Sequence, residues 1–440
     1  MVGITKMKAE KQKAEKEAFF CTTKELSRLG LEQIPTQFQS HKHLIYSSPA
    51  TLAFNSPGAE GFGVKRAGLA VPDSIMLIVA PGCCGRNTSL ISSMKEYNDR
   101  FYYLMMDETD IVTGRHLKKI PKAVEEICSV CPKKPSVVMI CITCVDALLG
   151  TDMERVCKKA EEQVEIPVRP CYMYALTREG RKPPMVHVRQ SLYSLLEPGK
   201  KKGNVVNLLG FFSPLVDDCE IYDLLHSAGV KTIHEISRCK DYMEYQTMSE
   251  ANFNLVLHHE ARFAAEDFHN RLQIPFIELR RLYQIDKIEN QYHALGNALG
   301  VVFCDEKYKK QAEDALEKFR QKCPDASFAI GECLNADPFE LSLALIRYGF
   351  SVPEIYGTIT VENFTYIRSL AKISPETKVF SNMEPTMIYY DPAKSGVNLA
   401  IGKDACYYHP DCPYVMWNGE EQPYGYAGVR RLFEQLLEVV

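Results

Sequence analysis

Short runs of apolar, β-branched residues recur along this chain, and each is followed by a glycine turn and a stretch of helical periodicity. The runs include "SIMLIVAP" (74–81), "VVNLLGFFSP" (205–214) and "ASFAIGECLNADP" (326–338). Strands that alternate with helices in this way are typical of parallel sheets with crossover helices. The pattern therefore predicts an α/β fold built on parallel sheets.

The length of the chain requires more than one domain. Its 440 residues exceed the roughly 250 to 300 at which a single hydrophobic core stops growing, and the polar segment "EPGKKKGN" (197–204) is typical of a linker. We expect an N-terminal helical extension over 1–50, a first α/β domain over 51–197, a second over 198–300, and a third with a C-terminal helix over 301–440.

Charge and hydropathy exclude several classes of protein. A net charge of −4 predicts neither a nucleic-acid nor an anionic membrane partner. Apolar runs such as "SVVMICITCV" fall far short of the roughly 18 residues of a membrane span, and the Lys- and Glu-rich start lacks the apolar core of a signal peptide. We expect a soluble cytoplasmic protein whose 16 cysteines are reduced thiols, in the core or on metal.

The candidate site residues follow directly after predicted strands. Ligands of open parallel sheets bind beyond the carboxyl ends of the strands. The residues at such positions are Cys83, Cys84, Cys144, Phe211, Ser213, His258, His259 and residues 332–335.

Three of these residues are cysteines. Cys83 and Cys84 follow one strand of the first domain, and Cys144 follows another. Because neighbouring strands lie roughly 5 Å apart, the three thiols can meet one zinc ion or iron–sulfur cluster. Free cysteine is also among the most buried residue types, and an adjacent pair is no standard metal-binding spacing. The spacing alone leaves both interpretations open.

Several motifs, taken in order, resemble those of the nitrogenase component 1 family. "APGCCGR" resembles its HGPxGC element, "CITCVDALLGTDME" its Cys-x-x-x-(Leu/Ile)-Gly-Asp-Asp helix start, and "NSPGAEGFGVKRAGLA" the stretch before its first strand. "VNLLGFF", "FNLVLHHEARFAAEDFHNRLQIPFIEL", "FAIGECLNAD" and "QPYGYAGVRRLFEQLLE" resemble later elements, up to the closing helix. The resemblance covers the chain from about residue 50 to its end.

The resemblance implies three Rossmann-like domains with parallel sheets around a central cavity, in a subunit that pairs with a homologous or identical chain. An iron–sulfur cluster ([4Fe-4S] or larger) at the subunit interface would accept electrons from an ATP-hydrolysing iron protein, under anaerobic conditions. The chain has no GxxxxGK(S/T) loop, so nucleotide hydrolysis would belong to that partner.

The family's cluster cysteines carry over only in part. Cys84 or Cys83 takes the place of the second, and Cys144 that of the third, while the first falls near Asn55 and is missing. Because such a cluster normally has four ligands, the resemblance implies that Cys83, Cys84 and Cys144 are joined by another donor. That donor would be Cys21, an Asn or Asp oxygen, or a residue of the partner chain.

His258 falls where a cysteine holds the active-site cofactor of nitrogenase. An imidazole can ligate iron or donate a proton near neutral pH. We expect His258 or His259 to line the cavity or supply protons, and the alternative is a hydrogen-bonded histidine in the cavity wall.

Other motifs are weaker. "CYYHPDC" (406–412) and "CSVC" (128–131) lack a second metal-binding pair, so we expect a surface or core-edge loop and a helix end. The turns "GECLNAD" and "GFFSP" could bind an anion through backbone amides or be ordinary turns. Glu332 and Asp337 argue against a nucleotide in the third domain.

The sequence thus predicts a subunit of a nitrogenase-like oxidoreductase that reduces a substrate in its central cavity. One alternative is a scaffold for metallocluster assembly. Another is a non-catalytic partner subunit, which fits the missing first cysteine and the presence of Ala80 where the family has a histidine. The sequence disfavours dinitrogen and does not name another substrate.

Overall fold

The computed structural model describes residues 17–39, 63–82, 95–173 and 182–440. These residues form two four-stranded sheets and one six-stranded sheet. All neighbouring strands run parallel except one edge strand of the six-stranded sheet. The prediction of an α/β fold with parallel sheets in several domains is confirmed.

The chain divides into two compact units. The two-sheet unit comprises Pro57–Ala312 and Glu420–Val429, and the one-sheet unit comprises Met1–Ser56, Glu313–Gly419 and Arg430–Val440. The domain boundaries expected near residues 50, 197 and 300 stay predictions.

The strands are short and numbered along the chain. They are β1 (Phe20–Thr22), β2 (Ile75–Ala80), β3 (Phe101–Met105), β4 (Val138–Ile142), β5 (Val168–Tyr172), β6 (Val205–Leu209), β7 (Thr232–His234), β8 (Phe253–Val256), β9 (Phe276–Glu278), β10 (Ser327–Ile330), β11 (Ser351–Tyr356), β12 (Lys378–Phe380), β13 (Leu399–Ile401) and β14 (Tyr414–Val415).

The α-helices of the described residues mostly connect these strands. They are α1 (Thr23–Leu29), α2 (Val64–Ala67), α3 (Glu108–Thr113), α4 (His116–Val130), α5 (Cys144–Leu149), α6 (Met153–Val164), α7 (Pro184–Tyr193), α8 (Glu220–Ser227), α9 (Tyr242–Gln246), α10 (Arg262–Leu272), α11 (Ile285–Leu299), α12 (Glu306–Lys322), α13 (Pro338–Arg347), α14 (Phe364–Ile373), α15 (Lys403–Tyr408) and α16 (Gly425–Val439). None of them combines the length and the apolar character that a membrane span requires.

Each sheet has one point at which its strand order reverses. The orders are β3-β2-β4-β5, β7-β6-β8-β9 and β1-β12-β11-β10-β13-β14. In each sheet, the first parallel strand along the chain lies between two later strands, with the next strand on one side and a more distant strand on the other. The reversals therefore fall between β2 and β4, between β6 and β8, and between β10 and β13. Ligands of open α/β sheets bind beyond such switch points.

The strands at the switch points are apolar because they are buried on both faces. Every residue of β2, β4, β6 and β8 is buried, as expected for parallel sheets covered by helices. Two polar residues, Asn207 and Asn254, also lie in these strands. Asn207 Nδ2 of β6 donates a hydrogen bond to Asn254 Oδ1 of β8 at 2.8 Å. This bond satisfies Asn207 Nδ2 and Asn254 Oδ1, whereas Asn207 Oδ1 and Asn254 Nδ2 have no partner among the described residues.

The two sheets of the two-sheet unit share one hydrophobic core. Met76 and Cys171 of the first sheet belong to the same cluster as Val256 of the second sheet. Leu192 of α7 and Phe268 of α10 complete the junction, where α7 packs against both β5 and α10. The carboxyl edges of these two sheets are therefore parts of one packed body.

The N-terminal segment adds a strand that the sequence did not predict. β1 pairs antiparallel with β12, with Phe20 opposite Phe380 and their rings 5.6 Å apart. α1 then packs against α14. Residues 17–39 thus belong to the six-stranded sheet and its cover, while residues 1–16 and 40–50 lie outside the described residues.

Candidate functional site

The switch point of the first sheet brings the carboxyl ends of β2 and β4 to one edge. β2 ends at Ala80 and β4 at Ile142, and the register pairs Val79 with Ile142. Cys144 is the first residue of α5, two positions beyond β4. Only the backbone of Cys144 is described, and residues 83 and 84 lie outside the described residues. The role of Cys83, Cys84 and Cys144 as ligands therefore stays a prediction.

A buried histidine–aspartate pair fixes the helix that begins at Cys144. His116 Nε2 lies 2.9 Å from Asp146 Oδ1, and His116 Nδ1 lies 3.1 Å from the carbonyl oxygen of Asp110. Both ring nitrogens thus face oxygen atoms. The His116–Asp146 contact therefore ties α4 to α5.

Two buried polar atoms flank Cys144 without a partner. Thr143 Oγ1 and Asp146 Oδ2 accept or donate no hydrogen bond within the described part of the chain. Buried polar atoms are normally paired, so these two atoms fit a site that another group completes. A cysteine between polar neighbours suits an iron–sulfur cluster, whose potential depends on such surroundings. The described residues are thus compatible with the predicted cluster.

The switch point of the second sheet is so tight that it requires glycine. Gly210, directly after β6, has a φ of +139°. A Cβ atom there would lie 2.7 Å from the backbone nitrogen of His258, which follows β8 by two residues. The two strand exits therefore approach each other through Gly210 and His258.

The ring of His258 is held in one tautomer. Its Nδ1 accepts a hydrogen bond from the backbone N–H of Glu260 at 3.3 Å, so the proton of the neutral ring sits on Nε2. The ring stacks on that of His259 at 4.5 Å and meets the ring of Phe211 edge-on at 5.7 Å. His258 thus presents an Nε2–H donor beside an aromatic surface.

Desolvation and neighbouring cations favour the neutral form of this ring, although 34% of its side chain is exposed. Desolvation, followed by the charges of Arg189 and His259, holds the pKa of His258 well below its usual range. A neutral imidazole is a poor proton donor, and ligation of a metal through Nε2 would require the proton on Nδ1, against the N–H of Glu260. This geometry favours a hydrogen-bonding role for His258 over the proton-donor role expected from the sequence.

Arg189 of α7 supports both strand exits. Its Nε and Nη2 donate to the carbonyl oxygen of Gly210 at 3.0 and 2.7 Å, and Nη1 donates to Glu260 Oε2 at 2.7 Å. The guanidinium lies 4.6 Å from the ring centre of Phe212. The only sequence signal for this residue is an arginine among the apolar residues of "PMVHVRQSLY", and a charge buried at such a position must be paired.

The backbone amides of the glycine turn after β10 already bind a carboxylate of the same chain. Asp404 accepts hydrogen bonds from the backbone N–H groups of Glu332 at 2.8 Å and Cys333 at 2.9 Å. A Cβ on Gly331 would overlap the Asp404 carboxylate. The amides of "GECLNAD" are therefore used internally, and of the two alternatives from the sequence the structural turn is the one observed.

The "CYYHPDC" segment is core rather than surface at its centre. His409 is buried and its Nε2 lies 3.3 Å from Glu354 Oε2. Cys406 Sγ and Cys412 Sγ approach different carbonyl oxygens, those of Val415 and Val397. Within the described ranges no three His, Cys, Asp or Glu residues lie close enough to hold a metal ion.

In the "CSVC" segment, the C-terminal end of α4, Cys131 Sγ lies 3.0 Å from the hydroxyl of Tyr102. The helix end predicted for this segment is observed.

Three parallel sheets with polar side chains at their switch points define an α/β protein of the kind that binds ligands at sheet edges. The chain belongs to the nitrogenase component 1 type oxidoreductase family, whose profile matches residues 60–440.

Similar curated proteins include cofactor biosynthesis proteins. The chain is 25% identical over 418 residues to the nitrogenase iron-molybdenum cofactor biosynthesis protein NifE of Sinorhizobium fredii, covering 89% of this chain and 82% of that protein. It is 25% identical over 284 residues to NifE of a Nostoc species and 24% identical over 256 residues to NifE of Clostridium pasteurianum. The matched segments span only 58% and 54% of those two relatives.

Solved structures of the family share this fold. Nitrogenase Cp1 at pH 6.5 aligns with a TM-score of 0.69 and 18% identity, over 90% of this chain and 92% of that one. Nitrogenase Cp1 at pH 5 aligns with a TM-score of 0.59 and 16% identity, over 93% and 96%. The fold expected from the sequence motifs is thereby confirmed, and the profile match confirms the family.

Proposed function

We propose that this chain is a subunit of a nitrogenase-like oxidoreductase. Electrons would enter through an iron–sulfur cluster held by Cys83, Cys84 and Cys144 and reach a substrate at the switch point of the second sheet. The observation that carries this proposal is that the backbone of Cys144 and the His258 site occupy equivalent switch points of two sheets with the same strand order and one shared core.

The chain's own residues prepare the cluster site. When bound, the cluster would supply one-electron transfer at a potential set by its surroundings. The His116–Asp146 pair holds the start of α5, which sets the backbone position of Cys144. The Thr143 hydroxyl has no partner among the described residues, so it would be available to donate a hydrogen bond to a sulfur atom of the cluster.

At the second switch point, the residues would bind and orient the substrate. The neutral ring of His258 offers its Nε2–H, and Glu260 fixes that tautomer through its backbone N–H. Arg189 holds Glu260 and Gly210 in place. Because His258 stays neutral, the protons of the reduction would come from solvent or from His259, which is exposed.

The proposal includes two protein partners. A homologous or identical component 1-like subunit would bury the cluster and supply the ligand that is missing near Asn55. An ATP-hydrolysing iron protein would deliver the electrons, since the chain has no phosphate-binding GxxxxGK(S/T) loop. A low-potential cluster of this kind calls for anaerobic handling.

A second candidate is a scaffold for metallocluster assembly. It is favoured by the relatives, which are named as iron-molybdenum cofactor biosynthesis proteins. Hydrogen bonds from His258, in place of a metal–thiolate bond, would hold a cluster loosely enough for release. A non-catalytic partner subunit is the remaining alternative.

The first experiment measures iron and acid-labile sulfide in protein purified without oxygen, alone and co-expressed with a homologous component 1-like chain. We expect iron and sulfide in near-equal amounts, and a loss of more than half of the iron in Cys144→Ala. Cys131→Ala is the matched control, because this half-buried thiol already contacts the Tyr102 hydroxyl. Unchanged iron in Cys144→Ala, or no iron in either preparation, would contradict the proposal.

A second measurement separates the reductase from the scaffold. The loaded complex is mixed with the iron protein and ATP, and candidate substrates are followed for ATP-dependent reduction. In parallel, protein loaded with radioactive iron is mixed with a cluster-free acceptor. Turnover with retained iron supports the reductase, and transfer of iron without turnover supports the scaffold.

A further inference from the structure

Arg281 reaches the switch point of the second sheet from a third direction. It lies three residues after β9, at the same carboxyl edge as the exits of β6 and β8. Its guanidinium carbon stands 4.4 Å from the ring centre of Phe211, and Phe211 in turn meets the ring of His258. Phe211, His258 and Arg281 thus form one contiguous group, which we term the Arg281 site.

Within the described part of the chain, the charge of Arg281 has no carboxylate partner. Its one hydrogen bond runs from Nη2 to the neutral amide oxygen of Gln422 at 2.6 Å, and Nε is buried without a partner. Neighbouring arginines differ, because Arg189 pairs with Glu260 and Arg262 pairs with Glu278.

An unpaired cation in this environment is costly. Burial lowers the pKa of Arg281, and the nearby phenols of Tyr283 and Tyr424 only partly oppose that effect. Contact with an aromatic face offsets only part of the cost of desolvating an ion. Such an arrangement is expected where a ligand supplies the missing anion.

The chemistry of the Arg281 site matches a carboxylate. Both polar members, the guanidinium and the Nε2–H of His258, are donors, and the carboxylates of Glu260 and Glu278 are already engaged. A planar guanidinium fork matches a planar carboxylate. A phosphate would call for donors on more sides than two side chains and an apolar ring provide.

We propose that the Arg281 site binds the carboxylate of a small organic acid. If the proposed function holds, an organic acid is then the substrate class of the reductase. The binding itself involves only Phe211, His258 and Arg281, and it needs neither the cluster nor the iron protein.

The test is a calorimetric titration of the full chain with succinate, glutarate and benzoate, with succinamide and inorganic phosphate as comparison ligands. We expect at least one carboxylate to bind and succinamide not to bind. Arg281→Gln should weaken that binding roughly ten- to a hundredfold, the loss typical of a charge-assisted hydrogen-bond pair. The control Arg280→Gln removes the same charge from an exposed neighbour and should change affinity less than twofold.

Three outcomes would overturn the proposal. They are the failure of all three carboxylates to bind, equal affinity in Arg281→Gln and the wild type, and tighter binding of phosphate than of any carboxylate. Cys144→Ala should bind the carboxylate normally, so a failure of the cluster proposal is distinguishable from a failure of this one.

Thermal unfolding separates a binding role from a structural one. Removal of a half-buried charge that has no carboxylate partner among the described residues should leave the Tm of Arg281→Gln equal to or above that of the wild type, whereas a structural arginine would lower it by many degrees. Arg281→Lys keeps the charge and loses the planar fork, so it should bind with intermediate affinity. A lowered Tm in Arg281→Gln with wild-type binding in Arg281→Lys would overturn the assignment.

Discussion

Arg189 donates two hydrogen bonds to the carbonyl oxygen of Gly210, from Nε at 3.0 Å and from Nη2 at 2.7 Å. The same guanidinium pairs with Glu260, whose backbone N–H fixes the tautomer of His258. One buried arginine therefore connects the exits of β6 and β8 and supports the residue that fixes the tautomer of His258.

Replacement of Arg189 should loosen the second switch point. In Arg189→Gln the Gly210 carbonyl loses both donors and Glu260 loses its ion partner, so the free energy of unfolding should fall by roughly 2–4 kcal/mol. Chemical denaturation measures this loss. Arg320→Gln breaks an exposed pair with Glu317 and should cost less than about 1 kcal/mol. Equal losses in the two variants would show that Arg189 does not hold the strand exits.

A methyl group at residue 210 should be tolerated poorly. Gly210→Ala forces a left-handed backbone on an alanine and drives its Cβ into His258, which we expect to cost roughly 2–5 kcal/mol. Gly229→Ala separates the two effects, since Gly229 also has a positive φ but no atom within 4 Å of its added Cβ. Its cost should be about 1–2 kcal/mol, from backbone strain alone. If chemical denaturation gives the same loss of unfolding free energy for both variants, the close approach of Gly210 to His258 does not contribute to the cost.

The internal anion of the third sheet offers a further test. Asp404 accepts from the backbone N–H groups of Glu332 and Cys333 and from Asn382 Nδ2. In Asp404→Asn the new NH₂ group must face at least one of these donors, so unfolding should become easier by roughly 2–4 kcal/mol. Asp411→Asn, at an exposed position, should stay within about 0.5 kcal/mol of the wild type. Comparable stability of the two variants would show that these hydrogen bonds to the Asp404 carboxylate do not stabilise the fold.

The strand exits could be predicted from the sequence because they depend on local pattern. Runs such as "SIMLIVAP" and "FNLVLHH" are apolar, β-branched and bounded by turn residues, and ligand positions follow from the topology of parallel sheets. β1 could not be predicted in this way. Its three residues become a strand only through pairing with β12, and Phe20 finds Phe380 across 360 positions of chain.

The residues that support the site had no comparable signal. Arg189 lies in α7 and Arg281 follows β9, so both are distant in sequence from the exits of β6 and β8. Only the folded chain shows that Arg189 pairs with a carboxylate and that Arg281 has no carboxylate partner among the described residues. The sequence likewise could not tell an anion-binding turn at Glu332 from a turn that Asp404 already fills. Tertiary contacts decide between them.

The neutral state of His258 predicts a dependence of stability on pH. In the folded chain the pKa of His258 lies well below 6.5, the ordinary value that applies when the chain unfolds. Between these two values the unfolded state binds more protons, so stability rises with pH there and is lost as pH falls below about 6.5. The loss should be complete once pH passes below the folded-state value.

Matched variants isolate this contribution from that of other groups. The free energy of unfolding is measured from pH 7.5 to pH 5 in the wild type, in His258→Gln and in His269→Gln, which changes an exposed histidine of α10. His258→Gln should lose less stability on acidification than the wild type, and His269→Gln should follow the wild type. Parallel curves for the wild type and His258→Gln would mean that the ring protonates freely in the folded chain. In that case the Nε2–H would no longer be the single donor that His258 presents, and a proton-donor role would regain its support.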